Sequence, residues 1–431
     1  MLFDLSPIFA LVPLVIYIIL AFKDINAILN VTICVLLSAI ITKQPLMEMG
    51  NVINEALGSF LAMIGFIIML GAALGEILKR TGVAEYIVLT FMNRIGINSE
   101  RKAILAVMIC SCILVTLLGT LAGANAIIAP IVIPLVATIG LTPSTLAVIF
   151  QGAGATGLFI GPYSPQVVTI MEVTGLSYGV YLSGVGIPLA LVCWIVTLLM
   201  SQRIQNKTRN VYAYDDVEKP NTDYNSTSET KRATIVFFLS LIVLVAYGII
   251  TQGGSSYAIV VMFTTAILTG IAGKLSPNVI FETLVEGASK MVSLFIMFVL
   301  FYPFITFISE AGAFDALVEL LQPLLASESS ILFSFIATLT GIFGIGGAAA
   351  AQTVVMDNMF STLANNLGIS TTLWALILLV GSQITSFAYP EADMLGQMGL
   401  ARSKDLKNMV KFGITLTIAT VILVLIRSIF S

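Results

Sequence analysis

Long apolar runs alternate with short polar joints along this chain, and the runs come in two matching sets. The first set occupies residues 7–22, 24–42, 58–79, 144–160 and 178–200, and the second 233–251, 257–273, 290–309, 371–387 and 405–429. These lengths suit helices that cross ~30 Å of hydrocarbon at ~1.5 Å per residue. Between the third and fourth run of each set lies a pair of shorter apolar arms, 102–118 with 126–139 and 329–343 with 351–366. As a helix the arm 126–139 reaches only ~21 Å, too short to cross. The pattern therefore predicts two re-entrant hairpins, over 102–140 and 328–368, with tips at 119–125 and 344–352 built from glycine, alanine and a few polar residues. Unwound backbone at membrane depth is tolerated only inside protein or beside water, so such tips border a cavity.

The two sets are copies of one another. Asn51, Val52, Ile53 and Glu55 answer Asn278, Val279, Ile280 and Glu282; Gly82 answers Gly312; Gly140 answers Gly368; Pro165 answers Pro390; and Gly175-Leu176 answers Gly399-Leu400. The offsets all lie between 224 and 230 residues. In each copy the fourth run is interrupted, first by Gly161-Pro162-Tyr163-Ser164-Pro165 and then by the stretch from Ser382 to Pro390, which predicts broken helices over 144–176 and 371–397. The expected fold is an all-α polytopic membrane protein. Each half, 1–200 and 233–431, carries five transmembrane helices and one hairpin, and 201–232 is a polar linker. An odd number of crossings per half turns one copy over relative to the other. An inverted repeat with matching broken helices is the sequence signature of a secondary transporter, with its site where the breaks meet.

Charge orients the scheme. With this topology all but Lys43 and Arg427 of the 20 lysines and arginines fall on one side, the side expected to be cytoplasmic. The linker then lies in the cytoplasm, both termini lie outside, and the protein resides in the cell (plasma or inner) membrane. A cytoplasmic position would leave the glycosylation pattern at Asn225 unused. The stretches 85–93 and 316–322 read as amphipathic helices along the membrane surface or as solvated connectors.

Composition agrees: 58% of residues are hydrophobic and 10% charged, with a mean hydropathy of +1.04. The net charge of -3 and scattered basic residues exclude nucleic-acid binding. Cys34, Cys110, Cys112 and Cys193 all lie in apolar runs, which argues against a disulfide or zinc site. The chain holds no histidine, so proton handling falls to carboxylates, tyrosine or lysine. No nucleophile, base and metal constellation suggests an enzyme, and no cofactor is expected beyond a coupling H+ or Na+.

At the first break, Ser164, Gln166 and Thr169 accompany the positive end of a half-helix starting at Pro165, a place suited to a carboxylate, while the carbonyls that end the preceding half suit Na+. At the second, Thr385 and Ser386 precede Glu391 and Asp393. Carboxylates at such depth are costly and are kept for ions or protons, so Glu391 is the leading coupling candidate; an interfacial ion pair near Arg402 and Lys404 is the competing reading, above all for Asp393. The hairpins contribute Asn125, Gln352 and Thr353 as substrate contacts and Asp357 and Asn358 as ion-coupling candidates, with a possible Na+ at the tips; packing alone explains the flanking alanines.

Two hairpins and two broken helices resemble the ion transporter superfamily. Gly161-Pro162-Tyr163-Ser164-Pro165, with Thr174-Gly175-Leu176-Ser177 and Gly184-Val185-Gly186-Ile187-Pro188 downstream, is similar to the gluconate/proton symporter branch. Thr81-Gly82 after a glycine-rich helix resembles that branch and the C-type sodium/proton antiporters. The chain departs from the gluconate pattern in lacking histidine and in carrying Tyr389-Pro390-Glu391 at the second break. The resemblance implies a homodimer held by the non-moving helices. Two functions follow: symport of a small organic anion (sugar acid, carboxylate or amino acid) with H+ or Na+, which is the leading expectation, or Na+/H+ antiport without an organic substrate.

Overall fold

A computed structural model describes residues 6–23, 25–96, 98–209, 211–214, 226–251, 253–325, 329–344 and 349–430. The first half contains α1 (Val12–Phe22), α2 (Ala27–Thr42), α3 (Leu46–Leu57), α4 (Phe60–Arg80), α5 (Val83–Ile95), α6 (Glu100–Leu118), α7 (Leu121–Ala137), α8 (Pro143–Ile160), α9 (Pro165–Thr174), α10 (Tyr178–Tyr181) and α11 (Ile187–Thr208). The second contains α12 (Ser228–Ile250), α13 (Tyr257–Ala272), α14 (Pro277–Ser289), α15 (Val292–Glu310), α16 (Ala313–Leu325), α17 (Ser330–Ile342), α18 (Ala349–Asn366), α19 (Thr371–Gln383), α20 (Thr385–Ala388), α21 (Ala392–Leu400) and α22 (Leu406–Ile429). Among the described residues there is no strand, and seven helical stretches are long and apolar enough to cross a membrane. The protein is an all-α, multi-pass membrane protein.

Helix boundaries follow local chemistry. Thr120 and Thr142 cap α7 and α8 by accepting from the N–H groups of Gly123 and Thr145. Gly119, at φ 66°, supplies the left-handed turn that ends α6. The first hairpin thus turns over Gly119 and Thr120 alone; the expected tip 119–125 is shorter because Leu121 to Asn125 already belong to α7. That arm has 17 residues, about 25 Å as a helix. Residues 345–348 of the second expected tip lie outside the described residues, as do 210 and 215–225 of the linker, including Asn225. Helix α11 runs on to Thr208 and α12 begins at Ser228, so the connection between the halves is shorter than the polar composition of 201–232 suggests.

Two helices, α3 and α14, fall where the sequence reading placed joints. In α14, Ile280, Thr283, Leu284 and Gly287 form a buried stripe at helical spacing. This stripe packs on α4, where a Cβ on Gly287 would come within 2.6 Å of the Ala72 carbonyl oxygen. The expected amphipathic segments 85–93 and 316–322 lie within α5 and α16. Helix α5 buries Val83, Ala84, Ile87, Val88 and Met92 against the first hairpin and α12.

Packing forms two bodies. One centres on α1, α2, α4 and α15, filled by Tyr17, Phe298, Phe301, Phe304 and Phe307, with Tyr17 edge-on to Phe301 at 5.3 Å. The other gathers α5 to α11 with α17 to α22. Within it, α9 lies against α18 and α19 of the second half, and α21 lies against α7 and α8 of the first. Helix α8 is buried from Pro143 to Phe159 and α19 from Leu373 to Gln383, whereas α12 buries only Thr230, Ala233, Thr234, Phe237 and Gly248. The broken helices are therefore the centre of the molecule, and α12 is a peripheral helix.

Candidate functional site

The first break separates α8 from α9 at residues 161–164, with Pro165 opening α9 as the position without an orphan N–H. A helix end leaves four carbonyls without intrahelical partners. Here all four are taken. The Gly157 oxygen accepts from the Gly161 N–H at 2.9 Å, Leu158 from the Ser164 hydroxyl, Phe159 from Tyr181 at 2.9 Å and Ile160 from Tyr178 at 2.6 Å. The tyrosines reach this position because α10 and a π turn over Leu182–Gly186 bring the next helix directly onto the break. A Cβ at Gly186 would lie 2.8 Å from the Phe159 oxygen. The carbonyls expected to suit Na+ are thus already satisfied by the protein.

The second break is built differently. After α19 the chain makes the short α20, then extends through Tyr389 to Glu391, which precedes α21. Thr385 donates to the carbonyls of Gly381 and Gly341 at 3.2 and 3.3 Å, and Ser386 donates to that of Gln383 at 3.0 Å. Glu391 is half-buried, and its Oε1 is enclosed without a hydrogen-bond partner among the described residues. Asp393 follows in the first turn of α21. Helix α22 closes the rear of this break: a Cβ at Gly413 would sit 2.0 Å from the Phe387 oxygen.

Each helical pair meets the break of its own half, the first at its turn and the second at the end of α17 and the start of α18. Gly119 lies against Tyr163 and Ser164, and the Gly341 carbonyl accepts from both Thr385 and the Gln352 amide, the latter at 3.0 Å. Asn125 is fully buried in α7. Its Oδ1 accepts from Ser111 at 2.7 Å, and its amide donates to the Phe150 carbonyl at 3.0 Å and to Gln397 Oε1 at 2.7 Å. Both amide hydrogens are therefore used within the protein. The next residue on α8, Gln151, donates to the Ser386 carbonyl at 3.0 Å. Ser111, Gln151 and Gln397 were not picked out from the sequence. A glutamine in the middle of an apolar run was the available signal for Gln151, since a buried amide must find partners.

The remaining candidates are dispersed. Thr169 donates to the Pro165 carbonyl at 2.7 Å and Thr353 to that of Ala349 at 3.0 Å. Gln166 is half-buried, its Oε1 without a partner among the described residues. Asp357 accepts from the Trp374 indole at 2.8 Å, near the start of α19; ten residues of helix separate Trp374 from Ile384 at the break, about 15 Å. Asn358 is exposed, donates to Val354 at 2.9 Å and lines a separate cavity of 300 Å³ with Tyr302, Thr306 and Glu310. The structure brings Thr385, Ser386, Glu391 and Asp393 together along one segment and leaves Asp357 and Asn358 apart from it.

One chemical property unites the candidate hydroxyls. Ser164, Thr169, Thr353, Thr385 and Ser386 each donate their proton to a backbone carbonyl. A hydroxyl so engaged has only lone pairs left to offer a ligand. No group of three or more Cys, Asp or Glu side chains that would hold a metal ion occurs among the described residues.

Comparison with known proteins bears on both halves of this description. The profile of the Na+/H+ antiporter family matches residues 3–182, less than half of the chain. No curated protein sequence matches. Among solved structures, the Alcanivorax borkumensis YdaH transporter, described as having an unusual topology, is 14% identical with a TM-score of 0.62, covering 93% of this chain and 98% of its own. Neisseria gonorrhoeae MtrF, described within a class of antimetabolite efflux pumps, is 13% identical with a TM-score of 0.52, covering 89% of this chain and 83% of its own. These findings do not single out the gluconate/proton symporter branch. The chain has a transporter fold, and the family match over its first part supports an ion-coupled transporter.

Proposed function

We propose that the chain is a Na+/H+ antiporter, with Glu391 and Asp393 binding the cation or the proton in turn at the second break. The observation that carries this reading is the acceptor-only chemistry of the site. A hard cation takes oxygen lone pairs and carboxylates, and these are what Thr385, Ser386 and Glu391 present. A carboxylate substrate needs donors, and the hydroxyls proposed to supply them at the first break donate to the backbone instead. The antiporter-family match over residues 3–182 supports the same reading. The cycle would use two inverted halves that expose the second break to each side in turn, with the connection between α11 and α12 in the cytoplasm and both termini outside.

A second reading, ion-coupled movement of a small organic anion, draws on the amino-terminal end of α9 at the first break and on the transporter fold shared with MtrF, itself described among efflux pumps. Proteoliposomes loaded with a pH dye separate the two. Under an imposed Na+ gradient with no organic acid present, the wild-type protein is expected to drive a change in internal pH, and Glu391→Gln to abolish it. Gradient-driven accumulation of a labelled sugar acid or amino acid, with no Na+-driven pH change, would overturn the antiport reading.

A further inference from the structure

We infer that Asn125 and Gln397 form a positioning clamp that sets the half-helix carrying the two carboxylates, so that Asn125 acts through α21 and not by touching substrate. This rests on the assignment of Glu391 and Asp393 to the coupling step. The clamp is a chain of fully buried groups from four helices: the Ser111 hydroxyl on α6, the Asn125 amide on α7, the Phe150 carbonyl on α8 and the Gln397 amide on α21. Its span of 272 residues between Asn125 and Gln397 joins the two halves of the chain.

Three features point to a positioning part for Asn125, whereas the Gln397 Nε2 beside it is enclosed without a partner among the described residues. Both amide hydrogens of Asn125 are spent on protein acceptors, so the side chain has no donor to give. Space for the contact is made by a missing side chain on α8, because a Cβ at Gly154 would meet the Ser111 hydroxyl at 2.9 Å and the Asn125 amide nitrogen at 3.1 Å. Gln397 also lies six residues beyond Glu391, on the helix that Glu391 opens, so a shift of this anchor is passed directly to the acid pair. A buried amide that loses its partner carries a desolvation penalty. The pair therefore discriminates sharply between one placement of α21 against the first hairpin and any other.

The experiment measures Na+-driven exchange in proteoliposomes and thermal unfolding in detergent for Asn125→Ala, Gln397→Ala, the double alanine variant and the exchanged pair Asn125→Gln with Gln397→Asn. Each single variant is expected to raise the KM for Na+ about tenfold, the equivalent of one buried hydrogen bond. Vmax per folded molecule should fall less, and the double variant should be no worse than the singles. The exchanged pair, which keeps the combined length and the donor set, should restore KM. An unchanged KM in Gln397→Ala, or additive losses that the exchanged pair does not repair, would overturn the clamp. Glu391→Gln is assayed alongside: retained exchange in that variant removes the coupling assignment on which the clamp rests, whereas an altered KM confined to the clamp variants does not. If the wild type moves a labelled carboxylate and not Na+, the same KM comparison is made with that substrate.

Discussion

The carboxyl end of α8 and the carboxyl end of α19 answer each other in the sequence, and they do opposite things in the fold. At the first, four successive carbonyls are covered by one backbone N–H, one serine and two tyrosines, while the amino end of α9 has no side-chain cap. At the second, two carboxylates follow the interruption and a carboxylate oxygen lies enclosed without a partner among the described residues. The first break carries side chains that cover the carbonyls ending α8, and the second carries two carboxylates beside the start of α21. On the antiport reading proposed above, the first break is structural and the chemistry belongs to the second.

The comparison breaks or sharpens under substitution. The largest stability effect is expected at Gly413, which seals the rear of the second break: alanine there places a carbon against the Phe387 carbonyl and should cost about 3 kcal/mol or prevent folding. Next, Tyr178→Phe combined with Tyr181→Phe uncovers two carbonyls at the first break and should cost about 2 kcal/mol in thermal unfolding. If the first break is structural, this variant keeps the wild-type KM for Na+; a large rise in KM would make the first break part of the transport site. Smallest in stability is Asp393→Asn, which removes a charge from a half-buried place beside Glu391 and is expected to leave the unfolding temperature unchanged or slightly raised. The same variant should markedly depress exchange, and full activity would reduce the acid pair to Glu391 alone.

Much of this architecture was legible before any coordinates. Proline and glycine punctuate both breaks, and the long apolar runs announce an all-α, multi-pass fold. The acid pair stood out because carboxylates beside a break are costly in an apolar run. What stayed hidden was partnership. Tyr178 and Tyr181 sit in a stretch that reads as one more apolar run, and only the approach of α10 to α8 shows that they cap it. Glycine and alanine around Asn125 read as a tip, whereas α7 begins before it and one of its three partners lies in the other half. Helices α3 and α14 were missed because their apolar stripes are short and interrupted by acids that read as joints.

The enclosure of α8 has a consequence for how the protein is made. Its surroundings include α6 and α11, from its own half, but also α21 and α22, which are synthesised well after it. When the first half is already in the bilayer, the face of α8 that carries Gln151 and the Asn125 amide behind it still lack the second half. Neither half closes a core of its own, so insertion must hold an unfinished interface in lipid until α21 and α22 arrive, and these later helices decide whether α8 is correctly enclosed.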